Sequence, residues 1–144
     1  MSIDRRGQWW KGTTADDIAE YLAEYTAEGY PATEFRTAAC GCGSSTFNLD
    51  ADDTEGAARR TCVTCGKEHL IADSSEYCEE AEPERCVCTC GSETMNIGVG
   101  FAFYAEGDVR WLYIGCRCTA CGILGCYADW KVAYSPSRHL LDLA

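Results

Sequence analysis

Apolar and polar positions alternate along this chain with two different periods, and the change of period marks the elements. Ile18, Leu22 and Tyr25 recur at i, i+4 and i+7 with Tyr21 beside them, one apolar stripe that predicts an amphipathic helix. Thr13 or Thr14 is placed to cap it, Asp16 and Asp17 suit its positive N-terminus, and Gly29 with Pro31 ends it. A helix of about 15 residues is marginal alone, so the stripe must dock on the rest of the chain. Beyond it the period falls to two. Residues 33–38 read as extended chain, 46–51 and 57–61 as a hairpin across Asp52-Asp53-Thr54-Glu55-Gly56, and 69–71 as a third strand. Further on, Met95, Ile97, Val99, Phe101 and Phe103 alternate with Asn96, Gly98, Gly100, Ala102 and Tyr104. After Glu106-Gly107, Val109, Trp111 and Tyr113 alternate with Arg110, Leu112 and Ile114, which makes a long hairpin with one strongly apolar face. Its Gly98-Gly100-Ala102 face is small enough for close approach, so the helix or the first set of strands should pack against one of the two faces. Residues 123–130 supply a third strand, and Ser135-Pro136 can open a short helix through Leu143.

The strands carry a pattern written twice. Cys40-Gly-Cys42-Gly-Ser leads to Cys62-Val-Thr-Cys65-Gly, and Cys88-Thr-Cys90-Gly-Ser leads to Cys118-Thr-Ala-Cys121-Gly. In each copy a C-x-C turn and a C-x-x-C-G turn, separated by a hairpin, can bring four thiolates to one tetrahedral ion. The copies also match outside their cysteines, since 42–49 (CGSSTFNL) aligns with 90–97 (CGSETMNI), while the second copy is longer between its two turns. Glycine after each second cysteine pair supports metal, because tight turns let backbone N–H groups point at sulfur. Cys78, Cys86, Cys116 and Cys126 remain over. Their spacing forms no motif, so buried or free thiols are the expectation, with a third metal site or a disulfide as the other possibilities. Because Cys86 and Cys116 lie two residues from ligands, a shifted register would exchange Cys86 for Cys90 or Cys116 for Cys118.

At 144 residues the chain can form one compact domain or two small ones. Neither cysteine copy alone buries a sufficient core, and a structural zinc contributes on the order of 10 kcal/mol to folding such a module. Twelve cysteines would suit a secreted disulfide scaffold, but the N-terminus shows no apolar signal region and the paired spacings fit metal better. The expectation is a soluble protein of a reducing cytoplasm with no membrane span. Trp9-Trp10 should anchor the N-terminus on the domain. The formal charge of −11 deepens further once thiolate centres are counted. Such a field opposes direct nucleic-acid binding and draws basic partners.

These two four-cysteine sets resemble the zinc-ribbon fold group, over about residues 33–73 and 84–134. The resemblance implies a β-rich small α+β fold: two tandem zinc ribbons packed together with an N-terminal amphipathic helix, each ribbon holding one structural Zn²⁺. The parts are a leading segment and helix at 1–32, the first ribbon at 33–73, an acidic linker at 74–83, the second ribbon at 84–134 and a C-terminal helix at 135–144. Zinc ribbons serve in transcription and translation factors, as accessory modules of nucleic-acid enzymes and in protein binding. Here the C-x-C turn departs from the commoner C-x-x-C, and the acidity departs from nucleic-acid binders.

Catalytic chemistry lacks a constellation in the sequence. His69 and His139 stand alone, no Gly-rich phosphate loop follows a strand, and the H-x-E with P-C-x-x-C of the zinc deaminases is absent. Asp17, Glu20, Glu24 and Glu28 instead form an acidic ridge with no cation on the helix to offset it. Like-charge pairs such as Glu20/Glu24 cost about 0.2–0.5 kcal/mol each. With Asp52, Asp53 and Glu55 of the acidic turn, the ridge is the expected contact for a basic protein partner. The reading is a non-enzymatic acidic antagonist, such as an immunity protein occluding a toxin or nuclease. The alternatives are an accessory factor of the transcription or translation machinery, reaching out through Arg59-Arg60 or Arg110, and a thiol or metal redox sensor.

Overall fold

The computed structural model describes residues 10–27, 29–52, 57–71, 84–105, 107–132 and 140. The linker, Trp9, the predicted C-terminal helix, Cys78 and His139 lie outside these residues. One helix, α1 (Asp17–Tyr25), precedes eight strands: β1 (Glu34–Thr37), β2 (Phe47–Asp52), β3 (Ala57–Cys62), β4 (Glu68–Leu70), β5 (Glu84–Arg85), β6 (Met95–Phe103), β7 (Val109–Cys118) and β8 (Leu124–Lys131). No helix among the described residues is long and apolar enough to cross a membrane.

All eight strands form one antiparallel sheet with the path β4-β3-β2-β6-β7-β8. Where the copies meet, β2 and β6 share only the pair Phe47↔Met95, residues that correspond in the repeat. On either side of that pair the copies exchange strands. β1, which leads the first copy into Cys40, pairs with β6 of the second from Glu34↔Phe101 to Thr37↔Gly98. β5, which leads the second copy into Cys88, pairs with β2 of the first at Asp50↔Arg85 and Ala51↔Glu84. The exchange is reciprocal bond for bond. Ala38 N–H donates to Ile97 O and Cys86 N–H to Leu49 O, each at 2.8 Å. Asn48 Nδ2 donates to Glu93 O and Asn96 Nδ2 to Ser45 O, each at 2.9 Å. A pseudo-two-fold axis therefore passes near Phe47 and Met95, and the two copies are interlocked.

The long second hairpin is buried on both faces. Its apolar face, with Ile97, Val99, Phe101, Leu112 and Ile114, closes a core with Phe47, Leu49 and Ile71 of the first copy and with Trp130, Val132 and Leu140. The small face takes the helix, and Ile18 and Leu22 are buried there with Ala32, Ala102, Tyr113 and Leu124. A side chain on Gly98 or Gly115 would meet Ile18 at 2.9 or 2.7 Å, so hydrogen at these positions is what lets α1 lie on the strands. Burying Ile18 and Leu22 contributes about 1.5–3 kcal/mol each, which holds a helix too short to persist alone.

The helix differs from the sequence expectation at its start. It has nine residues, its N-cap Asp16 makes no side-chain cap bond, and Thr13 and Thr14 do not cap it. Instead the Asp17 carboxylate accepts hydrogen bonds from Thr13 N–H at 2.8 Å and Thr14 N–H at 3.2 Å. Gly12 folds over it, leaving Asp17 only 5% exposed. A carboxylate near the positive helix end captures the preceding N–H donors, and the turn that brings them makes the helix start later than the threonines suggest.

The Gly115–helix contact gives a direct test. Gly115→Ala is expected to destabilise the metal-loaded protein by about 1–3 kcal/mol through overpacking. Gly29→Ala should change stability little, because nothing lies within 4 Å of the added carbon. Equal urea midpoints for the two variants would contradict the docking of α1 on this face.

Candidate metal centres

The eight cysteines of the repeat come together as two sets. Cys40, Cys42, Cys62 and Cys65 form one, and Cys88, Cys90, Cys118 and Cys121 the other, with all four sulfurs of each set within 4.8 Å of one another. The sets are built from matching turns. Gly43 N–H donates to Cys40 O and Gly91 N–H to Cys88 O, while Gly66 N–H donates to Cys62 O and Gly122 N–H to Cys118 O. All four of these glycines have positive φ, between 79° and 96°, which the tight turns require.

Sulfur separations of 3.5 Å for Cys40–Cys65 and 3.6 Å for Cys42–Cys62 are repeated at 3.5 Å for Cys88–Cys121 and 3.6 Å for Cys90–Cys118. A disulfide would need about 2.05 Å. A tetrahedron of metal–sulfur bonds of about 2.3 Å has sulfurs about 3.8 Å apart. The donor set therefore fits two metal ions, one per copy.

The electrostatics prepare the sulfurs for an ion. Backbone N–H groups of Cys65 and Thr64 aim at Cys62, and with the neighbouring Cys42 and Cys65 they lower its pKa to about 6 despite desolvation. Burial works against Cys118, yet N–H groups of Cys121 and Ala120 with the thiols of Cys90 and Cys121 bring it to about 6 as well. Cys121 is pushed up to about 12, first by burial and then by thiols crowded against it. Four sulfurs this close cannot all be thiolates without a cation among them, and a divalent ion removes that conflict by displacing protons.

The two centres differ in their surroundings. Arg60 is buried behind the first, its guanidinium 4.7 Å from the Phe47 ring centroid. Burial lowers the Arg60 pKa, while the Cys40 and Cys62 thiolates oppose that shift, so Arg60 serves as their counter-charge. Its counterpart in the repeat is the buried, neutral Cys116. The second centre is instead covered by chain: Gly12 N–H donates to Gly122 O at 2.8 Å, Leu124 N–H to Trp10 O at 2.7 Å, and Arg117 Nε to Gly12 O at 2.8 Å.

Neither Cys86, Cys116 nor Cys126 enters a cluster. Cys116 is buried, and Cys86 and Cys126 are half-buried. Burial raises the Cys116 pKa well above its ordinary value and that of Cys86 to about 11, so both stay protonated. His69 is half-buried in β4.

Of the predicted acidic contacts, four fall among the described residues. Asp17 is inside, Glu20 and Asp52 are half-buried, and Glu24 is exposed. Glu28, Asp53 and Glu55 lie outside the described residues. The buried carboxylate that sequence reasoning missed is Asp50. It accepts from Arg59 Nη2 at 3.1 Å and from Arg85 Nε at 2.8 Å, and so fastens β5 to β2. Arg85 Nη1 continues to Glu93 at 3.0 Å. Although burial pushes the Asp50 pKa up, the two guanidinium groups outweigh it and hold the carboxyl below its ordinary value. Only the equivalence of Asp50 with Gly98 in the repeat could have marked it, as a position where the copies part.

Set against known proteins, the chain matches no family, no curated protein and no solved structure.

Two outcomes are expected of this geometry. Cys90→Ser should lose the second ion and, because the copies exchange strands, the first along with it, at a metal concentration that saturates both centres of the unaltered protein, which native mass spectrometry reads directly. Asp50→Asn should cost about 1.5–3 kcal/mol in denaturant, the worth of hydrogen bonds to a charged group. It should also weaken metal at the second centre, although Asp50 belongs to the first copy. An unchanged second centre would mean that β5 does not position Cys88.

Proposed function

We propose that this chain is a pair of tandem zinc ribbons serving as an acidic, non-enzymatic protein-binding module, in concrete form an antagonist or immunity protein that occludes a basic site on a toxin or nuclease. The observation that carries the reading is the net charge of −11 on a scaffold whose two thiolate sets can each saturate one ion. A centre with four protein sulfurs has no open position for substrate or water, which is the hallmark of a structural rather than a catalytic zinc. The ions then hold a rigid surface, and the charge selects what approaches it. The contact set keeps Glu20, Glu24 and Glu28 of the ridge and Asp52, Asp53 and Glu55 of the acidic turn, and loses Asp17, which is spent inside the fold.

The accessory-factor reading draws less support, because its cations are engaged within the chain. Arg59 pairs with Asp50, Arg60 is buried, and Arg110 lies over the rings of Tyr30 and Tyr104. A redox sensor needs accessible thiolates, whereas Cys86 and Cys116 have raised pKa values.

The test is affinity capture of the tagged protein from nuclease-treated lysate of its host, across a salt series. The expected result is one basic protein whose recovery falls steeply with salt, with an association rate lowered about ten-fold or more at low salt by Glu20→Lys with Glu24→Lys. Recovery of polymerase or ribosomal subunits without salt dependence would favour the accessory factor instead.

A further inference from the structure

Beside each metal centre the sheet ends in an edge, and the repeat lets the two edges be compared residue by residue. In the second copy, Gly122-Ile123-Leu124 is covered by the segment before α1: Gly12 N–H donates to Gly122 O at 2.8 Å, Leu124 N–H donates to Trp10 O at 2.7 Å, and Lys11 bridges antiparallel to Ile123. The corresponding residues of the first copy are Gly66, Lys67 and Glu68. They fold alike. Gly66 N–H donates to Cys62 O as Gly122 N–H does to Cys118 O, and Cys62 N–H donates to Lys67 O as Cys118 N–H does to Ile123 O. Their outer side is bare. β4 ends the path of the sheet, and Gly66, Lys67 and Glu68 are all exposed, whereas Gly122 and Leu124 are buried. A side chain on Gly122 would meet Gly12 O at 2.8 Å, but one on Gly66 would meet nothing within 4 Å.

Register states which groups this edge presents. Lys67 O and Ile71 N–H are engaged with β3, so by antiparallel alternation Glu68 turns its N–H and C=O outward, as Leu124 turns its N–H toward Trp10. Gly66 O stands where Gly122 O takes its bond. An extended chain laid here meets the same acceptor and donor, at the same spacing, that hold Trp10 and Gly12 on the second copy. What differs is the side chain facing it. Ile123 is replaced by Lys67, which makes no ion pair among the described residues. On the same face a recess of about 60 Å³ lies between Lys67, Arg60, His69 and residues 39–41. One water needs about 10–15 Å³, so the recess has room for a short side chain. A lysine at a sheet edge discourages strands in general and admits one whose facing residue is a carboxylate. The acidity of the chain as a whole is screened beyond about 8 Å at physiological salt, and a single carboxylate at this edge answers to Lys67 first.

We propose that the open edge at Gly66–Glu68 takes an extended segment of the protein partner as an added antiparallel strand, as the second copy takes residues 10–12, with an aspartate or glutamate of that segment facing Lys67. This rests on the reading of the chain as a protein-binding module and gives the contact its form. Main-chain hydrogen bonds to Gly66 and Glu68 supply the affinity, and Lys67 selects the sequence. A basic partner meets the requirement with one carboxylate in the inserted strand.

The experiment uses the full-length protein with both ions bound and two synthetic peptides. One has the sequence of residues 8–14, QWWKGTT, which fills the second edge, and the other is the same peptide with Lys11→Glu. In the protein alone, hydrogen exchange should be slow at the Leu124 amide and fast at that of Glu68. The glutamate peptide is expected to shift the Glu68 amide in NMR spectra, slow its exchange and bind about three-fold or more tightly than the lysine peptide. Lys67→Glu, with two ions confirmed by native mass spectrometry, should reverse that order, and Lys67→Gln should make the two peptides equal. A Glu68 amide that is already protected in the free protein, or that neither peptide shifts, would overturn the edge as a docking site and leave the protein-binding reading to the capture experiment. The same order of peptides with and without Lys67 would overturn the selection of a carboxylate. Capture of no protein from the lysate would overturn the protein-binding reading itself, whatever the peptides do.

Discussion

Backbone hydrogen bonds between the two copies hold the strands that deliver the first cysteines of each centre. Ala38, two residues before Cys40, is fixed to Ile97, and Cys86, two residues before Cys88, is fixed to Leu49. A thiolate placed wrongly by even a fraction of a metal–sulfur bond loses its ligand, so each centre depends on a neighbour's sheet for half of its sulfurs. The dependence also runs the other way. With so small a core in each copy, the ion fixes the turns from which the strands start, and metal binding is folding free energy. The Phe47–Met95 pair, the Asn48 and Asn96 bridges and the Asp50–Arg85 ion pair all lie on this shared seam.

Once interlocked, the copies were free to differ on their other faces. At the positions where the second copy has Gly98 and Gly115, the first has Asp50 and Arg59. The glycines admit a helix, and the charged pair, joined by Arg85, covers the same side of the first copy with ions. A similar exchange separates the metal surroundings, where Arg60 balances thiolate charge at the first centre and the segment through Trp10 and Gly12 shields the second. The docking of α1 places Tyr25 and Tyr30 beside the long hairpin, where Tyr30 stacks on Trp111, and the most exposed aromatic side chains among the described residues follow from where the glycines lie.

Both cysteine sets were legible in the sequence because ligand spacing is local: C-x-C and C-x-x-C-G turns specify their own geometry. The long hairpin was legible for a similar reason, since alternation from Met95 to Phe103 states which face is small and which is apolar. Strand exchange was not legible. Glu34–Thr37 and Glu84–Arg85 are short, polar and without period, and what pairs them is backbone hydrogen bonding, which no side-chain pattern records. The acidic ridge was read from a helical wheel, which shows Asp17 beside Glu20 and Glu24. A wheel does not show Gly12 and Thr13 folding back over the carboxylate. Nor does it show that Tyr21 and Tyr25, counted as part of the core stripe, lie half-buried and exposed at its border.

Interlocking implies that the metal centres are lost as one. The most direct measurement is native mass spectrometry of the two-ion protein during titration with a chelator, with ion mobility reporting compactness. The expected result is conversion of the compact two-ion species to an expanded metal-free chain, with little one-ion species at any point. A compact one-ion species accumulating through the titration would show that each copy holds its own centre and would contradict the strand exchange as the constraint on the fold.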